Sequence, residues 1–466
     1  MLRTAKTLLV ALALLGVSSP AWAFSMGGVL TNWMTPRLGY DLNMPMFAFG
    51  PMNLGEEYRW NNPVVYYGFT PDFLNYFGQR GAQEIDKAIK IVNDLPSASG
   101  IDPNTFPLTS LRVNHRASAL GLTDIKSAAL SALTEVSGLI NPNRFVYTLR
   151  NRWIGPGGAP TNYYIFRRNF DPITWAPSSY INGILWTYTL VADIDDTHSF
   201  VFTEPTDPLA LLGYMNTPVA AGFAGYQGGL SSIPGGFWTG LTRDDVGGLR
   251  YIYRKDNYNV EAFLTNATAT AGGGPWSAPP GATNAVGSNA VITVGLRAGI
   301  GKVKFVRVDY DSLFGSFEPF TNYWTDTVIT NGGTISQNLQ RPVAVPDILF
   351  DAADLQLGDA NTILVSFGSV TPVPQNNDAL NGIVQQAGPG VMQPGFILTF
   401  NAVDSIWWNI VGFDNQDELT ATARVYFWGS FDGSTNEPVV YPVGTTIQDV
   451  ERLVLRREPG FPWGSP

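Results

Sequence analysis

The chain of 466 residues contains no cysteine and only two histidines, His115 and His198. Without thiols it has no disulfide, no cysteine nucleophile and no thiolate metal centre. With two imidazoles, a Ser–His–Asp triad would have to be built on one of two positions, and no G-x-S-x-G turn surrounds any serine. Charge is scarce as well. Asp, Glu, Lys and Arg make up 14% of the chain, against about 25% in ordinary soluble domains. The net charge is −10, without clustered Lys and Arg, which argues against nucleic acid as a partner. Long apolar runs are missing too. No stretch after the N-terminal region approaches the ~20 residues of a membrane-spanning helix.

Apolar residues are plentiful at 45%, aromatics reach 13%, and there are 49 glycines and 33 prolines. That balance suits a β-rich protein with large buried faces, because strands favour aromatic side chains. The N terminus has the pattern of a secretory leader. Arg3 and Lys6 precede the apolar run Leu8 to Leu15, and Ala21-Trp22-Ala23 forms an A-x-A cleavage site before Phe24. A signal peptide over residues 1–23 is expected, with the product in the periplasm, on the cell surface or outside the cell. The leader carries two positive charges and no acid, so its removal makes the mature chain more acidic.

The fold class expected is α+β. After the leader, residues 24–62 are rich in Gly, Pro, Met and Asn and read as an extended N-terminal arm. Residues 63–257 read as a mixed α+β domain. Val64 to Phe69 is a strand candidate between prolines. Ile85, Ala88, Ile89 and Val92 repeat at helical spacing. A second helix is expected from Asp124 to Ser137, with Thr123 as N-cap and Gly138 just past its end. Thr242 and Asp245 form a capping-box pattern at the start of a third. Strands are expected around 145–149, 162–166, 184–191 and 199–202. Residues 258–442 lose helical periodicity and read as a mainly antiparallel β-sandwich. Residues 443–466 read as a C-terminal helix and tail.

Two resemblances follow from these segments. Residues 58–255 resemble a matrixin-like zincin, with an opening strand and long helix and a closing helix that begins Leu241-Thr-Arg-Asp-Asp-Val-Gly-Gly-Leu249. The zinc helix of such domains reads H-E-x-x-H-x-x-G-x-x-H. Here Ser131, Glu135 and Asn141 stand at the three ligand positions, Ala132 stands at the general base, and Gly138 matches the glycine. A protease site needs three donors and an open position, so this motif excludes zinc proteolysis. Either a scaffold has lost its metal or the match is coincidental. The mature chain also resembles an uncharacterised family of secreted bacterial proteins of the planctomycete and verrucomicrobial type. Tyr58-Arg-Trp-Asn61, Phe73-Leu-Asn-Tyr-Phe-Gly78 and Tyr310-Asp-Ser-Leu313 carry that likeness, which implies no activity.

The strongest polar cluster is Asp193, Asp195, Asp196 and His198, a candidate site for calcium or another divalent cation. The competing reading is a solvated acidic turn. No cofactor is expected beyond such structural calcium. Trp407, Trp408 and Trp428 are candidates for stacking on sugar rings, set against a place in the core. The expected function is an exported, non-enzymatic structural or surface-assembly protein that associates with itself or with other surface proteins. The alternatives are a polysaccharide hydrolase using paired carboxylates and a carbohydrate-binding protein.

Overall fold

The computed structural model describes residues 23–29, 49–153, 155–158, 161–192, 199–206, 216–221, 234–262, 269–270, 289–290, 294–309, 317–330, 333–352, 390–392, 395–400 and 427–455. Strand β1 (Phe24–Val29) opens the described chain. It pairs antiparallel with Asn169–Phe170, Leu139–Ile140 and Phe49–Pro51. Strand β2 (Tyr58–Trp60) pairs in parallel with Gly390–Met392. The described parts of the expected arm are therefore built into the domain, and Phe24, Met26, Met52, Tyr58 and Trp60 belong to the main core. Their glycines and prolines suggested irregular chain, but the large apolar side chains between them settle the outcome by burial.

Strand β3 (Val64–Phe69) leads into helix α1 (Pro71–Asn93). Thr70 caps the helix, accepting the Phe73 N–H at 3.1 Å, and Pro71 occupies the first turn, where its missing N–H is not needed. The helix starts well before the expected periodic segment. Its buried stripe includes Phe73, Phe77, Ile85, Ile89 and Val92, and the chain kinks at Gly78, whose φ is 64°. Helix α2 (Ile125–Val136) packs on α1. Its N-cap is Asp124, one residue later than expected. The Asp124 carboxylate accepts both the N–H and the hydroxyl of Ser127, while Thr123 lies in a short strand. Helix α3 (Arg243–Tyr253) begins with the expected capping box of Thr242 and Asp245.

Beyond α3 come β4 (Lys304–Arg307), β5 (Phe320–Thr330), β6 (Gly333–Val343), β7 (Ile348–Asp351), β8 (Phe396–Thr399), β9 (Phe427–Ser430) and helix α4 (Ile447–Leu455). Strands β4, β3, β7 and β8 form one sheet in that order, and every pairing is parallel. Strand β9 pairs in parallel with Leu122–Asp124, just ahead of α2. The described halves of the chain are thus interleaved, and residue 257 does not separate two sheets. One aromatic cluster joins them. Phe350 stacks on Phe69 at 5.6 Å and on Phe400 at 6.1 Å, and Trp428 meets Phe400 at 5.5 Å and Phe77 at 6.0 Å. Each such ring contributes roughly 1.5–3 kcal/mol through burial.

Strands β5 and β6 make a long antiparallel ribbon, in register from Phe320↔Val343 to Thr330↔Gly333. Eleven residues of strand extend about 37 Å. The ribbon joins a sheet in which Asn259–Ala262 and Val294–Arg297 precede β5, and β6 lies at the edge. Helices and sheets together make the described structure α+β.

Candidate functional site

Helix α2 carries the positions that the zincin resemblance assigns to metal ligands. Ser131 is buried, and its carbonyl accepts the Thr134 hydroxyl at 2.6 Å. The Asn141 side chain caps a following turn by accepting the Arg144 N–H at 3.2 Å. Glu135 is half-buried, and its carboxyl forms no hydrogen bond or ion pair among the described residues. Burial pushes its carboxyl up to about 8, since desolvation penalises the charged form. The three positions therefore supply one carboxyl, one buried hydroxyl and one amide already used as a cap. No group of three or more His, Cys, Asp or Glu side chains suited to a metal occurs among the described residues.

The end of α2 is pinned instead by neighbouring elements. The last carbonyls of a helix lack internal partners. Here Trp60 Nε1 donates to the Val136 carbonyl at 2.6 Å, Tyr253 Oη donates to that of Ser137 at 2.9 Å, and Gly27 N donates to that of Gly138 at 2.9 Å. Gly138 has φ 104°, and a Cβ there would lie 2.2 Å from the Tyr58 carbonyl oxygen. Strands β1 and β2 and helix α3 thus converge on the turn after α2. That convergence explains the glycine without any metal.

The first turn of α3 holds two buried carboxylates, Asp244 and Asp245. Asp245 is fully occupied. It accepts the N–H groups of Val219, Ala220 and Thr242 at 3.0, 2.9 and 2.8 Å, and the Thr242 hydroxyl at 2.6 Å. Asp244 Oδ2 accepts the Asn182 N–H at 2.6 Å, with Asn182 held at φ 42°. Burial raises both carboxyls, and their neighbouring charges oppose each other.

Other acids lie along the parallel sheet. Asp351, at the end of β7, accepts the Thr70 hydroxyl at 2.9 Å. Asp86 accepts from Tyr67 Oη at 2.7 Å and from Arg307 Nη1 at 2.9 Å, and Arg307 Nε reaches Asp309 at 2.9 Å. Asp347 is wholly buried. It takes Arg341 through both Nη atoms, one of them at 2.9 Å, and the Tyr66 N–H at 2.8 Å. These carboxylates join elements distant in sequence. Composition could not distinguish them from turn caps.

Asp193, Asp195, Asp196 and His198 lie outside the described residues, as do Trp407 and Trp408. Trp428 is 4% exposed and sits in the aromatic core. It meets Phe77 and Phe400 in edge-on contacts, and buried to this degree it offers no platform for a sugar ring. Among the described residues, the most exposed aromatic rings lie elsewhere: Tyr323 is 70% exposed on β5, Trp153 53% and Tyr164 44% on the hairpin of Tyr147–Trp153 and Asn162–Arg167. No family model, curated protein or solved structure matches the chain.

Proposed function

We propose that this is an exported, non-enzymatic protein that assembles with copies of itself at or beyond the cell surface, joining through the outer edge of the β5–β6 ribbon. The ribbon carries this reading. Its solvent face presents Thr321, Tyr323, Thr325, Ser336, Asn338 and Gln340. From Phe320 to Gln340 the sequence has a single charged residue, Asp326. Edge strands usually carry charges, prolines or bulges that block further pairing. On β6 the one charge, Arg341, is drawn to Asp347, and Pro342 stands only at the far end. The outer edge of β6 has no strand partner among the described residues. An open row of backbone donors and acceptors beside uncharged side chains suits strand addition.

The test is sedimentation and electron microscopy of the mature protein beside a Ser336→Lys/Asn338→Lys variant. The expected result is concentration-dependent assembly of the wild type and a monomeric variant with an unchanged melting profile. A wild type that stays monomeric at high concentration, with and without calcium, refutes the reading. Reducing-sugar release from a glycan panel, abolished by one carboxylate substitution in a folded protein, would replace it with hydrolysis.

A further inference from the structure

Antiparallel strands alternate along their ladder. A facing pair either exchanges both backbone hydrogen bonds or turns its N–H and C=O groups away from the partner strand. The closed end of the ribbon fixes this alternation on β6. Thr330 faces Gly333, and only Asn331 and Gly332 separate them in the chain. Such a pair must exchange its own bonds, because the other pattern would require a bond between the adjacent residues 331 and 332. The register continues without a bulge to Phe320↔Val343. Gly333, Ile335, Gln337, Leu339, Arg341 and Val343 therefore bond to β5, while Thr334, Ser336, Asn338, Gln340 and Pro342 face outward. Pro342 agrees with this parity. Proline has no N–H, so on an edge strand it belongs where the missing donor points away from the ladder.

The outward row is thus bounded by Pro342 at one end and by the chain reversal at the other. Between these limits Thr334, Ser336, Asn338 and Gln340 each turn one N–H and one C=O to an edge that has no strand partner among the described residues. Ser336, Asn338 and Gln340 are exposed. The row is complementary to itself. A second β6 running antiparallel, with Gln337 opposite Gln337, sets Thr334 against Gln340 and Ser336 against Asn338. Every outward N–H then meets a carbonyl. Moving the centre to Asn338 brings Pro342 opposite Thr334, whose carbonyl then lacks a donor. Moving it to Ser336 carries Gln340 past the start of the facing strand. Charge favours the same occupant. The chain has a net charge of −10, so copies repel one another over most surfaces. From Gly333 to Gln340 there is no charged residue, and two copies meet there without that penalty.

We propose that the partner of the β6 edge is the same edge of a second copy, paired antiparallel about a two-fold axis at Gln337, so that one sheet runs through a closed dimer. This inference rests on the reading of the ribbon edge as the assembly surface. It adds the segment that is met, its direction and its register. A contact between identical patches is used up once it forms. The β6 edge therefore builds a pair and not a fibre.

Disulfide mapping tests the register, and a chain without cysteine gives it a silent background. Facing residues lie about 4.5 Å apart at Cα where they exchange no bonds and about 5.5 Å where they do, both within the reach of a disulfide. Residues two positions out of register are about 7–8 Å apart, beyond that reach. With oxidised glutathione as the electron acceptor, Gln337→Cys should link to its own copy. Ser336→Cys alone and Asn338→Cys alone should link at least about tenfold more slowly, and a mixture of those two proteins should link as fast as Gln337→Cys. Sedimentation of the cysteine-free protein accompanies the scan. A dimer at high concentration, lost in Asn338→Pro with its melting midpoint kept, is expected, because that proline removes an outward N–H and no bond to β5. A protein that stays monomeric overturns both the pairing and the assembly reading. A protein that assembles while Gln337→Cys stays unlinked, or while Ser336→Cys alone links as fast, overturns the two-fold register and leaves assembly standing. If Gln337→Cys fails to fold, the mixture of Ser336→Cys and Asn338→Cys still decides.

Discussion

Removal of the Asp347 charge should loosen the β5–β6 ribbon from the body of the protein. Asp347 precedes β7 and is wholly buried, while the Arg341 side chain, on β6, is 15% exposed. The guanidinium bonds both carboxylate oxygens and lies over the Tyr66 ring at 5.9 Å. The carboxylate also takes the Tyr66 N–H of β3. One ion pair therefore ties the ribbon to the central sheet. Exposed pairs contribute about 0–1 kcal/mol, but breaking a buried one by removing a single partner costs about 3–5 kcal/mol, because the other charge is left stranded. Arg341 keeps some contact with water, so Asp347→Asn should cost about 3 kcal/mol. Arg341→Met strands a fully buried carboxylate and should cost at least as much. The double variant strands neither charge and should fall short of the summed losses by about 2 kcal/mol, within the range of contacting pairs. Urea unfolding of the four proteins, followed by tryptophan fluorescence, measures all three values. Losses that add within about 0.5 kcal/mol would refute the claim that the pair acts as a unit.

Glu135 should make stability depend on pH. Burial raises its carboxyl from 4.5 to about 8, so between those values the folded chain holds a proton that the unfolded chain has released. Its contribution to stability therefore falls as pH rises from about 4.5 to about 8. Glu135→Gln should gain about 1–2 kcal/mol over wild type at pH 8, a partial share because the side chain is only half-buried. It should gain nothing at pH 4, and equal differences at the two pH values in urea titrations would contradict the assignment. Gly138→Ala should cost at least about 2 kcal/mol, combining the left-handed backbone penalty with displacement of the Tyr58 carbonyl. A melting midpoint equal to wild type would show that the turn has room to relax.

Local signals in the sequence translated well. The 3.6-residue spacing at Ile85 to Val92 placed the second half of α1, and the Thr242/Asp245 pair placed the start of α3. Gly138 marked the end of α2, because a positive φ favours glycine. Failures came where two local acceptors competed for one helix end or where distance in sequence mattered. Asp124 displaced Thr123 as cap because its carboxylate serves two groups of Ser127 at once. The parallel pairing of β3 with β4 and β7 spans more than 200 residues, and periodicity carries no information about partners. The ribbon had a readable sign: Asn331-Gly332 between alternating strand residues is a hairpin signal. Asp245 was legible as half of a capping box, whereas nothing in the sequence set Asp244 apart as a second buried acid beside it. Only the fold separates them: Asp245 accepts the N–H groups of Val219, Ala220 and Thr242, whereas Asp244 accepts that of Asn182.

Amide hydrogen exchange over residues 333–343, compared between dilute and concentrated mature protein, tests the assembly claim most directly. The account predicts that alternate backbone amides of β6, those facing away from β5, become protected as concentration rises, while the central parallel sheet is unchanged. Unaltered exchange along β6 in material that has assembled would place the contact elsewhere and contradict it.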